Sequence, residues 1–199
     1  MAEQLNRLRA IVLLAGAIVL LSGCGSGPNQ INEAPPIPPT ATPAPRPGLD
    51  GPLLTPLQDG AEVTAPDHRY TVDLPAEWTE TNPRESDFVF SGPGGMTYEI
   101  TRAPLPDDVS TARAWSEAEQ EAADDVETVS FEPVQVSGSQ AVRWVYRESI
   151  DGEEFLLHVV FVVDGDTGFR LTGSAPAGDE DATISLFDSI SGSFTLPRG

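Results

Sequence analysis

The run Phe155-Leu156-Leu157-His158-Val159-Val160-Phe161-Val162-Val163 constrains the fold more than any other stretch of the chain. Alternate residues of a strand face opposite sides of its sheet. Phe155, Leu157, Val159, Phe161 and Val163 would line one face, and Leu156, Val160 and Val162 the other. Both faces are apolar, which predicts a central strand covered on two sides. Around it, Tyr70–Leu74 alternates apolar and polar residues and predicts a half-buried strand, turned by Pro75-Ala76-Glu77 with Trp78 over its end. Phe88–Ser91 and Met96–Thr101 flank Gly92-Pro93-Gly94-Gly95 as a hairpin. Phe131–Val136, Gln140–Ile150 and Phe169–Thr172 read as further strands, with Asp151-Gly152 suited to a type I′ turn. Ser193–Leu196 reads as a last short strand.

Two segments carry helical spacing. From an N-cap at Ser110, the set Ala112, Trp115, Ala118, Ala122 and Val126 predicts a helix to about Val126, with Glu117, Glu121, Asp124 and Asp125 on its solvated side. Ala182–Ile190 predicts a second. Strands, helix, strand meander, helix and short strand define an α+β domain, a central antiparallel sheet flanked by helices.

The N-terminus has a different organisation. Met1–Arg9 carries Arg7 and Arg9, and Ala10–Leu21 is an uninterrupted apolar run of twelve residues. A bilayer-spanning helix needs roughly 20. A charged start, a short apolar core and a small-residue end mark a processed export signal. Leu21-Ser22-Gly23-Cys24 matches the bacterial lipobox at all four positions. By that resemblance Cys24 receives a diacylglyceryl group, cleavage falls before it, and residues 1–23 are a lipoprotein signal peptide. The thiol suits alkylation because its thiolate is strongly nucleophilic. The lipid would hold the protein on the extracytoplasmic face of the cell membrane, and two acyl chains give stable anchoring where one is marginal. Cys24 is the sole cysteine, so no disulfide or zinc-thiolate site remains to staple the fold.

Residues 24–57 read as a lipidated N-terminus and disordered linker, dense in proline from Ala34 to Pro47. Polyproline II rises about 3.1 Å per residue, so this segment reaches up to roughly 100 Å. Residues 58–199 are left for one globular domain, enough to bury a core unaided. The chain has 31 acidic and 11 basic residues. Loss of residues 1–23 removes Glu3, Arg7 and Arg9, leaving 30 against 9, so nucleic acid and anionic lipid surfaces are poor partners. Every basic residue is arginine, which excludes lysine Schiff-base chemistry and a P-loop lysine.

No catalytic constellation and no metal set emerge from the remaining residues. His68 reads as surface, and His158 as a satisfied core or edge histidine on the central strand, with no ligand spacing to join them. There is no G-x-S-x-G elbow. Ser91–Gly95 lacks the lysine and the helix of a phosphate loop. Asp164-Gly165-Asp166-Thr167-Gly168 superficially resembles a calcium loop, but Arg170 occupies the sixth place after Asp164 and the pattern stops, so a hairpin turn explains it. Asp179, Glu180 and Asp181 precede a helix and read as capping. Arg143 and Arg147 share one strand face, where cross-strand ion pairs compete with an anionic ligand.

Tyr70-Thr71-Val72-Asp73-Leu74-Pro75-Ala76-Glu77-Trp78 resembles the strand-Pro-x-x-Trp opening of PsbP-like domains, which also occur in LpqN-type bacterial lipoproteins. Gly138–Tyr146, Gly168–Gly173 and Phe187-Asp188-Ser189-Ile190-Ser191-Gly192-Ser193-Phe194 resemble that family's long hairpin and closing segment. The resemblance spans residues 60–197 and implies an α/β/α sandwich. It also implies a binding or accessory module with no shared catalytic set; no cofactor is expected beyond the covalent lipid that the lipobox places on Cys24. The expected function is a non-enzymatic, lipid-anchored interaction module with an envelope or membrane protein partner. The competing expectation is a small-ligand or cation-binding lipoprotein, its pocket between sheet and helix lined by residues such as Trp115, Trp144 and Tyr146.

Overall fold

The computed structural model describes residues 50–65, 70–81 and 88–196. Cys24, the leader, the linker up to residue 49 and His68 lie outside the described residues. Nine strands and two helices follow in the order β1 (Ala61–Thr64), β2 (Thr71–Leu74), β3 (Thr79–Glu80), β4 (Phe88–Ser91), β5 (Thr97–Pro104), α1 (Ala112–Ala122), β6 (Val126–Val136), β7 (Ser139–Ile150), β8 (Glu153–Asp164), β9 (Thr167–Pro176) and α2 (Glu180–Ser193). β3 to β9 form one antiparallel sheet in the order β3-β4-β5-β9-β8-β7-β6, and β1 and β2 form a separate hairpin.

The two-faced apolar run is β8, and both its faces are covered. Val160 and Val162 join Tyr98, Leu171, Phe187, Ile190 and the β2 residues Val72 and Leu74 in one core. Leu157, Val159 and Phe161 join Trp115, Trp144 and Tyr146 in a second core on the opposite face. α2 and the β1–β2 hairpin therefore cover one side and α1 the other, giving the α/β/α sandwich. β8 lies one place off the middle, which β9 occupies.

Turn chemistry sets the register. Asp151 and Gly152 have φ of 54° and 87°, and Ser137 and Gly138 have 50° and 75°. Positive φ at both central residues is the type I′ requirement, whose twist matches the strands it joins. β6 is an edge strand, with a bulge between Thr128 and Ser130. Pro133 is tolerated there because an edge position needs no donor on its outer side.

Four boundaries differ from the sequence reading. α1 is capped by Thr111, whose hydroxyl accepts from Ala114 N at 3.1 Å, rather than by Ser110. It ends at Ala122, because Val126 begins the Val126–Val136 run that pairs with β7. Ala118 and Ala122 are exposed, and the buried positions are Ala112, Trp115 and Ser116. Ser193 closes α2, so the last strand reduces to one bridge, Thr195 to Thr71. The domain starts before residue 58: Leu54 is buried, Leu54 N donates to Gln135 O at 3.0 Å, Gln135 N to Pro52 O at 2.8 Å, and Leu57 N to Ser189 O at 3.0 Å. Pro52–Thr55 is thus a strap laid along the end of β6.

Asp179 caps α2 as expected, accepting from Ala182 N at 3.2 Å, with Glu180 and Asp181 in the first turn. Asp179→Ala is expected to cost about 1 kcal/mol, read as a lowered urea midpoint at unchanged slope. No loss at all would mean that α2 is held by packing alone.

Candidate functional site

The densest polar chemistry among the described residues lies on the α2 side of the sheet. Arg143 and Arg147 are four residues apart on β7, so both point to one face. Register places Glu132 opposite Arg143 and Glu127 opposite Arg147 on β6, and puts His158 of β8 opposite Val145, between the two arginines. α2 lies across them and supplies Glu180 and Asp188.

The resulting contacts form one ladder. Arg143 donates through Nη1 to Asp188 and through Nη2 to Glu132. His158 Nε2 meets Asp188 Oδ1 at 2.7 Å. Arg147 grips Glu180 with two bonds, Nε to Oε1 at 2.6 Å and Nη2 to Oε2 at 2.8 Å, and donates through Nη1 to Glu127 at 2.8 Å. Such forked pairs fix geometry as well as charge. Burial raises the affinity of Asp188 for a proton, but the contacts with His158 and Arg143 outweigh it and hold the carboxyl below its ordinary value. Burial likewise opposes the Arg143 charge, and Asp188 and Glu132 more than restore it.

His158 is fully buried, its ring 5.9 Å from that of Phe187, and Nδ1 has no hydrogen-bond partner. With Nε2 on Asp188 and Nδ1 enclosed, the imidazole ties α2 to the sheet. It is a core histidine, as its place on β8 suggests, with one ring nitrogen paired and the other without a partner. The arginines form the cross-strand pairs rather than an open anion site, and each also reaches α2.

A groove opens above this ladder. The strap Pro52–Thr55 forms one wall, and Asp181, Ile184, Ser185, Asp188 and Ser189 of α2 the other, with Arg143 at the base; its volume is about 350 Å³. The α2 residues recur at the i, i+3, i+4, i+7, i+8 spacing of one helical stripe. This groove does lie between sheet and helix, but not where the aromatic residues predicted it. Trp115, Trp144 and Tyr146 belong to the α1-side core and pack against rings: Trp144 and Tyr146 at 4.1 Å between centroids, Trp115 and Phe161 at 5.1 Å.

The other candidates resolve into structure. Asp164 and Thr167 are paired across the two-residue turn Gly165-Asp166. Pro93–Gly95 forms a 3₁₀ turn. Among the described residues no three His, Cys, Asp or Glu side chains gather as a metal site, and no helix is long and apolar enough to cross a membrane. Asp188, Glu132, Glu180 and the strap went unnoticed in the sequence as site residues. The signal for Asp188 was indirect: a histidine on a strand buried on both sides needs a polar partner from the covering helix.

Neither a protein-family model nor a curated protein matches this chain. Solved structures do. LpqN of Mycobacterium tuberculosis, described as involved in cell envelope biogenesis, aligns with a TM-score of 0.54 at 16% identity, covering 69% of this chain and 90% of that one. The Saccharomyces cerevisiae Ran-binding protein Mog1p aligns at 0.53 and 14% identity, covering 69% and 95%. A Bacteroides thetaiotaomicron protein aligns at 0.52 and 14% identity over 71% of this chain, which spans half the length of that protein. At these identities the likeness is one of fold. The antiparallel sheet with flanking helices is the architecture shared with LpqN and Mog1p.

Proposed function

We propose that the protein is a lipoprotein, anchored through a diacylglyceryl group on Cys24 to the extracytoplasmic face of the cell membrane. Its domain serves as a non-catalytic interaction module for an envelope or membrane protein. The observation that carries the location is the complete Leu21-Ser22-Gly23-Cys24 tetrad behind a charged and apolar leader. The non-catalytic reading is supported by the state of His158, enclosed and bound to Asp188 with both arginines of that face already paired. The fold shared with LpqN suits an envelope role, and the fold shared with the Ran-binding protein Mog1p suits a protein partner. A net charge of −20 argues against nucleic acid. No dissociable cofactor is needed.

Cys24→Ser is the direct test. The variant is expected to lose the diacylglyceryl mass and move from the membrane pellet to the soluble fraction. Full membrane association at unchanged mass would end the lipoprotein reading. Cross-linking of the lipidated chain in native membranes is expected to give a stoichiometric partner that the serine form captures poorly.

The groove favours a second reading, a small-ligand or cation-binding lipoprotein. A ligand that binds the native state raises its melting temperature by mass action, by about 2.7 kcal/mol of stability at a hundredfold excess over Kd. A calcium- or metabolite-dependent rise would promote this reading over the first.

A further inference from the structure

We propose that the seat of the strap on the β6 edge is a peptide-docking site, held in cis by residues 50–57 and taken over by an extended, leucine-bearing segment of the protein partner. The inference rests on the interaction-module reading and names what that module grips.

What the domain recognises in the strap is main chain. The Gln140 side chain accepts from Asp50 N at 2.9 Å and donates to Asp50 O at 3.1 Å. Gln135 donates through Nε2 to Gly51 O at 2.9 Å and through its own N to Pro52 O at 2.8 Å, and its O accepts from Leu54 N at 3.0 Å. Leu57 N donates to Ser189 O at 3.0 Å. No side chain of the strap takes part in any of these bonds. Gly192 of α2 completes the seat by lacking a side chain: a Cβ there would lie 2.9 Å from Leu54 C and O and from Thr55 O. A seat that reads backbone accepts any extended segment of the right shape, which is how an added strand is held on a sheet edge.

One side chain sets the selectivity. Leu54 is 5% exposed and enters the α2-side core, whereas Asp50, Gly51, Pro52 and Thr55 are exposed. The incoming segment must therefore carry an apolar residue where Leu54 stands. A charged residue there would be buried at high cost.

The strap is also built to leave. Pro52 and Pro56 have no N–H, so the ladder cannot lengthen, and it amounts to one parallel bridge from Leu53 to Gln135. The flank toward α2 borders the groove of about 350 Å³, so packing on that side is open. Segments with few buried contacts open locally at less cost than the whole domain. β6 then offers the main-chain groups of Gln135 to another chain. A tethered segment competes at an effective concentration on the order of millimolar. An outside segment gains the seat only by outbidding the strap or after the strap is weakened.

Two measurements test this on the lipidated full chain in neutral detergent. In the wild type the amides of Leu54, Leu57 and Gln135 are expected to exchange hydrogen with a common protection, about a hundredfold or more below that of Val160 in β8. Exchange of all three only at the protection of Val160 would overturn the proposal. The capped peptide of residues 51–58 is then titrated against the wild type and Leu54→Asp. It is expected to bind the variant about tenfold or more tightly than the wild type, because the cis competitor is lost. Binding should vanish when the peptide's second leucine is replaced by aspartate, or is N-methylated and so loses the donor to Gln135 O. Equal affinity for the two chains, or binding that survives N-methylation, would overturn the seat. If Leu54→Asp does not fold, exchange in the wild type decides. In native membranes the same peptide in excess is expected to displace the cross-linked partner. A partner fully retained would overturn the seat while sparing the module, and absence of any partner would overturn both.

Discussion

Asp188→Ala is expected to destabilise the domain by about 3 kcal/mol, because it removes one carboxylate from two buried partners at once. A native domain has only about 5–15 kcal/mol in total. The Arg143 side chain is 15% exposed and that of His158 fully buried, so neither regains water when Asp188 is lost. Asp188→Asn keeps an acceptor and should cost about half as much. The pH dependence separates this mechanism from a packing defect. The folded-state pKa of Asp188 lies below its ordinary value of 3.8. The stability it contributes is therefore complete above that value and is lost as the pH falls through the folded pKa. Urea unfolding at neutral pH should show the full gap between wild type and Asp188→Ala, and the gap should close in acid. A gap of equal size across that range would show that the carboxylate charge contributes nothing.

The same ladder shows what sequence reasoning can and cannot see. Glu132 and Glu127 oppose Arg143 and Arg147 across a hairpin whose register follows from Ser137-Gly138, so cross-strand pairing was legible. Asp188 and Glu180 were not, because their place over the sheet depends on the azimuth of α2, which is set by Phe187 and Ile190 finding space in a core assembled from distant strands. The two-faced pattern of β8 was decisive for the sandwich. The helical spacing that carried α1 on to Val126 was a coincidence of period. Val126 follows Ala122 by four residues, but the β-rich segment after it gains a full ladder against β7, and the chain breaks at Asp125 with φ of 60°. Composition misled at the N-terminal boundary. Gly51, Pro52 and Pro56 fall in the stretch read as linker, although Leu53, Leu54 and Leu57 among them were the sign of packing. The aromatic trio misplaced the cavity for a related reason. Large rings on one face fill space rather than enclose it when Trp115 and Trp144 each find a ring neighbour.

Gly173→Val is expected to be the most damaging single substitution, at 3 kcal/mol or more by overpacking, with Gly173→Ala at about 2 kcal/mol. Gly173 lies on β9 between Tyr98 and His158 in register, and the Phe187 ring rests directly on its backbone. A Cβ there would lie 2.4 Å from Cγ of Phe187, at the root of a fully buried ring that stacks on Tyr98 with centroids 6.1 Å apart. The ring cannot swing aside, so α2 must lift. Lifting α2 draws Asp188, the next residue, away from His158 and Arg143, so the steric and electrostatic losses add. This chain of contacts makes a coupling prediction. Phe187→Leu alone should destabilise by roughly 1–2 kcal/mol through the lost ring. Combined with Gly173→Ala it should cost less than the two singles together, by at least 1 kcal/mol, since the smaller side chain makes room for the methyl group. Strict additivity in that cycle would mean that Gly173 and Phe187 do not set the height of α2, and the ladder beneath the groove would need another support.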